Sequence, residues 1–297
     1  MTSVRKIEDS NMLEPSSFGQ NVAGRYFVKM HGLHNHFIIT DGRLEAYKPD
    51  VAEVVRLCDR HIGVGGDQLV VIEPPTQIGQ KGGAEAFMRI INVDGREVEA
   101  CGNATRCVAW LLMDEQATDS IVIETLAGLI ECNRAGEYWV QCVMGRLTTA
   151  WQDIPLAEAR DTLHLDLGID ALGDAVVLNI GNPHVVFFVD DLSAIDIEAL
   201  APGLQRNPLF PDEVNVGVAQ ITSAEHMHLT VYERGAGLTT ACGSGACAAV
   251  YAAQLRGLTS ESTLTVTMPA GDMTIEIRDD SVAVMTGPVA HCFSGYY

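Results

Sequence analysis

Two cysteine–glycine pairs in this chain each follow a polar, glycine-bearing turn and precede an apolar run that is typical of a helix. Cys101-Gly102 leads into residues 108–113, and Cys242-Gly243 leads into residues 248–253. A cysteine at a helix start lies beside unpaired backbone N–H groups and the positive end of the helix dipole. Because this setting favours the thiolate, we expect the pKa of both thiols to be lowered.

The glycines of these pairs leave backbone amides open to an anion, because glycine has no side chain to obstruct a ligand. Two such helix starts facing each other would hold a carboxylate between them, with one thiol on each side of the attached carbon. That arrangement suits inversion of an amino acid α-carbon: one sulfur removes the proton, and the other returns a proton to the opposite face. The amides would stabilise the negative charge that gathers on the carboxylate.

A purely structural interpretation of the same pairs is two glycine turns with packed cysteines. The rest of the chain favours the catalytic interpretation, since landmarks recur in the same order in its two halves. Residues 35–41 resemble residues 182–190, and residues 63–72 resemble residues 215–221. Together with the cysteine pairs, these matches predict two copies of one unit that build one site.

Cysteine spacing argues against a structural zinc site. Cys101 and Cys107 are six residues apart and Cys242 and Cys247 are five apart, whereas common zinc pairs are separated by about two to four residues. We therefore expect no metal. The other cysteines have no paired spacing and are expected to be small core residues; they are Cys58, Cys132, Cys142 and Cys292.

Composition excludes several classes of protein. The chain has 297 residues and an apolar fraction of 47%, which indicates a globular protein long enough for two domains. A formal net charge of −20 argues against nucleic-acid binding, which needs clustered Lys and Arg. No stretch approaches the ~20 apolar residues of a membrane span. Residues 1–24 are polar, lack a secretory pattern and are predicted to be a flexible extension, so we expect a cytoplasmic protein with reduced thiols.

The apolar pattern predicts a strand-rich α+β protein in which one unit is used twice, with a central helix in each copy. Helical spacing predicts helices at residues 51–58 and 192–200 besides those after the two cysteine pairs. Residues 77–83 are predicted to be a loop, because Pro74-Pro75 stops the preceding strand. The predicted strands are 26–30, 35–41, 67–73, 86–92, 120–124, 128–133, 138–143, 163–167, 175–180, 182–190, 215–221, 227–233, 263–268, 272–277 and 282–286.

These residues resemble the diaminopimelate epimerase family from about residue 26 to the C-terminus. The segments that carry the resemblance include Gly65-Gly66-Asp67-Gln68, Asn92-Val93-Asp94-Gly95, Glu99-Ala100-Cys101-Gly102-Asn103, Gly181-Asn182-Pro183-His184, Val214-Asn215-Val216-Gly217, Tyr232-Glu233-Arg234-Gly235 and Ala241-Cys242-Gly243-Ser244-Gly245. A bare Cys-Gly pair is shared with proline racemase-like relatives, so the longer segments are the more specific signal.

The resemblance implies a cofactor-independent isomerase that interconverts LL- and meso-diaminopimelate in the pathway to lysine and peptidoglycan precursors. It implies that Cys101 and Cys242 are the paired base and acid. Arg234 would bind the distal, unreacting carboxylate with its planar fork of donors, and Glu233 would meet an ammonium group. The full set of implied substrate-binding residues is Asn35, Gln68, Asn92, Gly102, Asn103, Asn182, Asn215, Glu233, Arg234, Gly243 and Ser244.

The fold implied by the resemblance has two pseudo-symmetric domains, each a strand barrel around a central helix, with the active site in the cleft between them. We expect residues 25–145 and 287–297 to form the first domain and residues 146–286 to form the second. The resemblance also implies a homodimer.

The chain departs from the family pattern at several positions. His34 and His36 replace Gly and Asp on either side of Asn35, and Leu238 stands where an acidic residue is common. These departures leave open a related racemase for a different amino acid. A separate alternative is a non-catalytic homologue that only binds the ligand, against which the two intact Cys-Gly pairs count. Arg234, together with Asn92 and Asn215, favours the longer, doubly charged substrate.

Overall fold

The structure, a computed structural model, describes residues 24–297, so the predicted N-terminal extension apart from Gly24 lies outside the described residues. The first half contains, in chain order, β1 (Tyr26–Gly32), β2 (Asn35–Asp41), α1 (Val51–Cys58), β3 (Gln68–Glu73), α2 (Gln77–Lys81), β4 (Ala86–Asn92), β5 (Glu97–Val98), α3 (Gly102–Glu115), β6 (Ser120–Thr125), β7 (Gly128–Gly136) and β8 (Trp139–Arg146).

Among the described residues, the second half repeats this order except that it has no counterpart of α2 and has an additional 3₁₀ turn. It contains β9 (Ala175–Asn179), β10 (Pro183–Phe188), a 3₁₀ turn (Leu192–Ala194), α4 (Ile197–Gln205), β11 (Asn215–Ser223), β12 (His226–Glu233), β13 (Gly237–Thr239), α5 (Gly243–Leu255), β14 (Thr263–Met268), β15 (Gly271–Ile277) and β16 (Val282–Pro288), and it is followed by β17 (Ala290–Tyr296).

Strand pairing is the same in the two halves. β1–β2 and β9–β10 are antiparallel, β2–β3 and β10–β11 are parallel, and β3–β4 and β11–β12 are antiparallel. The correspondence continues through β4–β5 and β12–β13, the parallel pairs β4–β6 and β12–β14, and the meanders β6–β7–β8 and β14–β15–β16. Each half is therefore a strand barrel of one topology, which confirms the predicted duplication and the α+β class.

A central helix fills the interior of each barrel. α3 packs against β1, β6, β7 and β8, and its buried residues join one apolar core. α5 packs against β9 to β12 and against β15 and β16, and forms the centre of a second core. Because α5 consists almost entirely of small and apolar residues, it has no polar face to turn towards water and suits a position surrounded by strands.

A shorter helix covers the outside of each barrel. α1 starts at Asp50, whose side chain accepts a hydrogen bond from the Glu53 N–H at 2.8 Å, an ordinary N-cap. It buries Val54, Leu57 and Cys58 against the outer face of the first sheet. α4 covers the second sheet in the same way, with Ile197 among its buried residues.

The two barrels are joined where the last strand of each meets the other. β8 and β16 pair antiparallel along their length. Beyond β16 the chain returns to the first half, where β17 pairs with β1. Beyond β8 it enters the second half, where Thr148 forms an isolated antiparallel bridge with Asn179 at the end of β9. These pairings support the predicted return of the C-terminal segment, and the domain boundaries themselves stay a prediction.

Three local predictions are wrong for identifiable reasons. Residues 77–83 begin with the helix α2, because the Thr76 hydroxyl accepts hydrogen bonds from the N–H groups of Ile78 and Gly79. Residues 163–167 contain only a bridge between Leu165 and Ala175, because the Asp161 carboxylate takes the N–H groups of residues 163 and 164. The predicted helix 192–200 is interrupted at Ile195, which is extended, and α4 starts afresh after Asp196.

The sequence pattern also misses β5, β13 and β17, which are short or mix polar and small residues. β17 affects one further expectation, that Cys292 is a core residue. Cys292 lies on β17 and is exposed; it is the extra residue where the β1–β17 register shifts between Lys29 and Met30. Cys58, Cys132 and Cys142 are buried as expected.

Candidate active site

Both cysteines of the paired motifs occupy the N-cap position of a central helix. Cys101 precedes α3 with backbone angles φ −148° and ψ 107°, and Cys242 precedes α5 with φ −131° and ψ 108°. Each thiol therefore lies at the end of a helix whose first N–H groups have no intrahelical partner. The prediction that each Cys-Gly pair opens a helix is confirmed.

The two helix starts meet at Met285 of β16. A Cβ atom added to Gly102 would lie 2.9 Å from Met285 Cε, and one added to Gly243 would lie 2.7 Å from Met285 Sδ. Both glycines thus touch the same buried methionine, and α3 and α5 are in contact. The structure therefore brings the two motifs, far apart in sequence, to one place at the junction of the barrels.

The Cys101 thiol faces amide side chains. Its Sγ donates to Asn35 Oδ1 at 3.6 Å, and Asn103 Nδ2 donates to the same oxygen at 3.3 Å. Asn35 Nδ2 in turn donates to the Asp67 carboxylate at 3.2 Å. The structure thus joins the predicted site residues Cys101, Asn35 and Asn103 in one network anchored on Asp67.

The Cys242 thiol has a different set of partners. Its Sγ accepts the N–H of Gly245 at 3.4 Å and lies 3.6 Å from Ser244 Oγ. Asn182 Nδ2 donates to Ser244 Oγ at 3.4 Å, and Asn182 Oδ1 lies 3.0 Å from His184 Nε2. Cys242, Ser244 and Asn182 therefore form the second network of predicted site residues.

Burial changes the expectation for the thiols. It raises the pKa of Cys101 to about 11, although the nearby backbone N–H groups of Ala104 and Asn103 act in the lowering direction. Burial, and then the charge of Glu233, raises the pKa of Cys242 well above its usual value. The predicted lowering is therefore wrong for the ligand-free protein, because removing a thiolate from water costs more than a helix start restores.

Glu233 is the charged group that the two thiols share. Its carboxylate acts to raise the pKa of both Cys101 and Cys242, and burial raises the pKa of Glu233 itself. An ammonium group bound beside this carboxylate would cancel its negative charge and so favour a thiolate nearby.

The remaining predicted residues lie at equivalent positions on the two barrels. Gln68 lies opposite Asn92 in the β3–β4 pair, and Gln68 Nε2 donates to Asn92 Oδ1 at 2.8 Å. Asn215 and Glu233 lie one residue beyond the Val216–Tyr232 pair of β11–β12. Gln68 therefore corresponds to Asn215, and Asn92 to Glu233.

Arg234 has no charged counterpart in the first half, where Val93 follows Asn92. Its backbone N–H donates to Asn215 Oδ1 at 2.9 Å. Its exposed guanidinium donates through Nη1 to the Asp212 carbonyl at 2.8 Å, and it forms no ion pair among residues 24–297. The guanidinium therefore keeps donors available for an anion.

Four residues of these networks were not singled out from the sequence: Asp67, Arg106, His184 and Met285. Arg106 carried a usable signal, since it is a charged residue in the middle of an apolar helix. Its side chain is fully buried, and its Nη2 donates to Asn103 Oδ1 at 2.8 Å. Asp67 and His184 stand inside the segments that carry the family resemblance, but only the folded structure shows which side chains these two residues and Met285 touch.

The departures from the family pattern have clear positions. His34 lies in the β1–β2 turn with φ 63°, a left-handed conformation that Asn and Gly adopt more readily. The backbone N–H of His36 donates to the Asp67 carboxylate at 2.7 Å, so the anchor of Asn35 does not depend on the His36 side chain. Leu238 is exposed on β13.

Among residues 24–297, no group of three or more His, Cys, Asp or Glu side chains is arranged to hold a metal ion. None of the helices in that range has the length and apolar character that crossing a membrane requires. A cavity of about 710 Å³ opens between residues 157–167 and 207–209, and no predicted site residue lines it.

The duplicated fold is that of a known class of two-barrel proteins. The structure matches a hydroxyproline epimerase from Agrobacterium vitis with a TM-score of 0.66 at 13% identity, over 92% of this chain and 90% of that one. At this identity the likeness shows the fold alone.

The sequence assigns the chain more closely within that class. The sequence profile of the diaminopimelate epimerase family matches residues 27–149 and 176–292. The diaminopimelate epimerase of Rhodospirillum centenum is 45% identical over 271 residues, 91% of each chain. That of Gluconobacter oxydans is 48% identical over 269 residues, 91% of this chain and 97% of the other. The chain belongs to the diaminopimelate epimerase family, and it is an isomerase.

Proposed function

We propose that this protein interconverts LL- and meso-diaminopimelate by a two-base mechanism that needs no cofactor. The observation that carries the proposal is the meeting of the two helix starts at Met285, where Gly102 and Gly243 each lack the side chain that would keep them away. The two N-cap thiols then lie at one junction, each on its own barrel. This supports a site in which a substrate carbon is approached from two sides.

In the proposed reaction, one cysteine is a thiolate and the other a thiol. The thiolate removes the α-proton: the Cα–H bond breaks, an S–H bond forms, and the electron pair passes to the carbanion and its carboxylate. The opposite thiol then gives its proton to the other face of the carbon, so its S–H bond breaks as the new Cα–H bond forms. The enzyme finishes with the roles of Cys101 and Cys242 exchanged.

The backbone N–H groups of both helix starts are proposed to stabilise the carboxylate at the reacting centre, through Gly102, Asn103, Gly243 and Ser244. Their donors are fixed before reaction, so little reorganisation is needed when charge develops. Asn35 is proposed to orient the Cys101 thiol, to which it is hydrogen-bonded. Asn182 is proposed to orient Ser244, which lies beside the Cys242 thiol.

The far end of the substrate, which does not react, is proposed to lie against the remaining predicted site residues on β3, β4, β11 and β12 and directly after β12. Arg234 would bind the distal carboxylate, with Gln68, Asn92 and Asn215 as hydrogen-bond partners and Glu233 beside an ammonium group. Gln68 supports this assignment, because its Oε1 is buried and has no hydrogen-bond partner among the described residues. A buried unpaired acceptor is costly, and a ligand N–H would satisfy it.

The decisive experiment is incubation with LL-diaminopimelate in D₂O, with meso product and α-deuterium measured by chiral chromatography and mass spectrometry. We expect deuterium in the product at the inverted carbon. Turnover of proline or another monocarboxylic amino acid in place of diaminopimelate would assign the protein to the racemase alternative. Binding of diaminopimelate with no exchange of the α-proton would assign it to the non-catalytic alternative.

The proposed place of the enzyme is the cytoplasm, in the route to lysine and to peptidoglycan precursors. The homodimer that the family resemblance implies stays a prediction. Light scattering coupled to size-exclusion chromatography would test it, since a monomer mass of 32.0 kDa and its double are easily distinguished.

A further inference from the structure

Arg106 is a buried cation without a counter-ion. Its side chain has no exposed surface, and no ion pair among the described residues involves it. The ionisable groups whose charges interact with its guanidinium include the thiols of Cys142, Cys107, Cys101 and Cys247. Burying an unpaired charge is unfavourable, so its position calls for a compensating interaction.

The guanidinium is held in one orientation. Nη2 donates to Asn103 Oδ1 at 2.8 Å, Nη1 is directed at Met285 Sδ at 3.2 Å, and Nε has no hydrogen-bond partner among the described residues. Two glycines make room for it. A Cβ on Gly287 would lie 3.0 Å from the guanidinium carbon, and one on Gly32 would lie 3.1 Å from Nη2.

The interaction with Asn103 continues to the thiol. Because Asn103 accepts from Arg106 through Oδ1, its amide is fixed with Nδ2 towards Asn35, to which it donates at 3.3 Å. The Asn35 oxygen at the end of this chain accepts the Cys101 thiol. Arg106 therefore fixes the amide of Asn103, which in turn contacts Asn35, a residue that Asp67 also anchors.

The second half has no such group. By the alignment of the two Cys-Gly motifs, Arg106 corresponds to Cys247, which is buried and uncharged at neutral pH because burial raises its pKa to about 12. The Cys101 half of the site therefore contains a buried cation, whereas the Cys242 half has none at the equivalent position. The charge of Arg106 lowers the pKa of Cys101, against the larger effect of burial and against Glu233.

We propose that Arg106 is a positioning residue of the Cys101 half-site, which fixes Asn103 and supplies the positive charge that balances an anion formed at Cys101 or at the start of α3. The inference rests on the proposed catalytic role of Cys101. It predicts that the two thiols respond differently to substitution at residue 106.

The test measures alkylation of Cys101 and Cys242 by iodoacetamide in the ligand-free protein between pH 7 and 10, by mass spectrometry of the two peptides. Arg106→Gln keeps a side-chain donor and removes the charge. We expect alkylation of Cys101 at pH 8 to slow about tenfold, the result of a pKa raised by about one unit, while Cys242 changes less than about twofold. Cys247→Ala, at the equivalent position of α5, is the matched control and should leave both rates unchanged.

Arg106→Lys separates the two parts of the inference, because it keeps the charge and loses the planar fork. We expect Cys101 alkylation within about threefold of wild type but a fall of about tenfold or more in kcat/KM. Circular dichroism and the melting temperature establish that each variant is folded. If Arg106→Gln does not fold, the Lys variant decides: slow Cys101 alkylation contradicts the role of the charge, and wild-type kcat/KM contradicts the role of the fork.

Equal slowing at both thiols in folded Arg106→Gln would show a general loosening of the core and would overturn the inference, as would unchanged Cys101 alkylation. Alkylation needs no turnover, so this result is independent of the proposed reaction. Failure of the proposed function would instead be seen as full epimerase activity in a variant that lacks Cys101.

Discussion

Cys101 and Cys242 occupy the same position on equivalent helices, yet their thiols have different hydrogen-bond partners. Cys101 donates to an amide oxygen, that of Asn35. Cys242 accepts a backbone N–H, that of Gly245. Burial and the charge of Glu233 raise the pKa of both thiols, and for Cys101 the charge of Arg106 acts in the lowering direction. A two-base reaction needs one sulfur in each state, and the two halves supply different surroundings on one scaffold.

The comparison extends to the residues that would hold the substrate. Asn35 corresponds to Asn182, Gln68 to Asn215 and Asn92 to Glu233, whereas Arg234 corresponds to the apolar Val93. Duplication thus provides two similar thiol sites, which the proposed mechanism uses on the two faces of one carbon. The proposed substrate has one reacting end and one end that only binds, and the charged residue proposed to hold that second end is present in one half alone.

The largest effect is expected from removing either thiol. Cys101→Ala and Cys242→Ala should each lower epimerisation about a thousandfold or more, within the usual range for loss of an acid or base, because each sulfur serves one face of the carbon. Initial rates would be measured from both isomers. Cys292→Ala, which removes an exposed thiol outside the site, is the control. If Cys101→Ala or Cys242→Ala epimerises normally in both directions, the proposal that each sulfur serves one face of the carbon is contradicted.

The next largest effect is expected at Arg234, whose position in the first half is occupied by the apolar Val93. Arg234→Leu should lower kcat/KM for diaminopimelate by roughly 30-fold to several thousandfold, since loss of a charge-assisted partner costs about 2–5 kcal/mol. Steady-state kinetics and thiol alkylation of the folded variant would measure it.

Arg206→Leu is the matched control for Arg234→Leu, because Arg206 is also exposed and also donates to a backbone carbonyl, that of Pro202 at 3.1 Å. It should leave kcat/KM within about twofold. Unchanged diaminopimelate turnover in Arg234→Leu, with wild-type activity on a short monocarboxylic amino acid, would favour the racemase alternative.

The dependence of kcat/KM on pH decides whether the thiol pKa values are lowered, as the sequence predicts, or raised, as burial in the structure indicates. The pKa of Cys101 is raised to about 11 and that of Cys242 is raised as well, so the thiolate fraction increases up to tenfold per pH unit below these values. We expect kcat/KM to rise between about pH 6.5 and 8.5. His184 does not contribute, because burial lowers its pKa to about 3 and it stays neutral throughout. A flat profile would show lowered thiol pKa values, as the helix-start argument predicts.

The smallest effect concerns the space at the two helix starts. Gly102→Ala would place a Cβ 2.9 Å from Met285 Cε and 3.0 Å from Met144 Cε, whereas Gly243→Ala meets Met285 alone. We expect both to lower the free energy of unfolding, by about 1–3 kcal/mol, as overpacking does, with the larger loss at residue 102. Chemical denaturation would measure it. Gly203→Ala, in α4 with open space around its Cβ position, is the control and should not destabilise.

Much of this site was predictable from local pattern. The Cys-Gly pairs before apolar runs located both N-cap thiols, and the recurrence of landmarks located both barrels, because a duplicated unit repeats its turns and its apolar periodicity. Local pattern failed where side chains competed for backbone groups. Asp161 took the N–H groups that a strand at residues 163–167 would have used, and the Thr76 hydroxyl began a helix where a loop was expected.

The sequence by itself determined the residue types of the chemistry, the duplicated order of elements and the family. Only the tertiary structure decided what each thiol touches, how Arg106 reaches Cys101 through Asn103 and Asn35, and that burial outweighs the helix starts in setting the thiol pKa values. The physical reason is that a helix start is a local property of a few consecutive residues. Desolvation depends on every atom packed around a group, and those atoms come from distant parts of the chain.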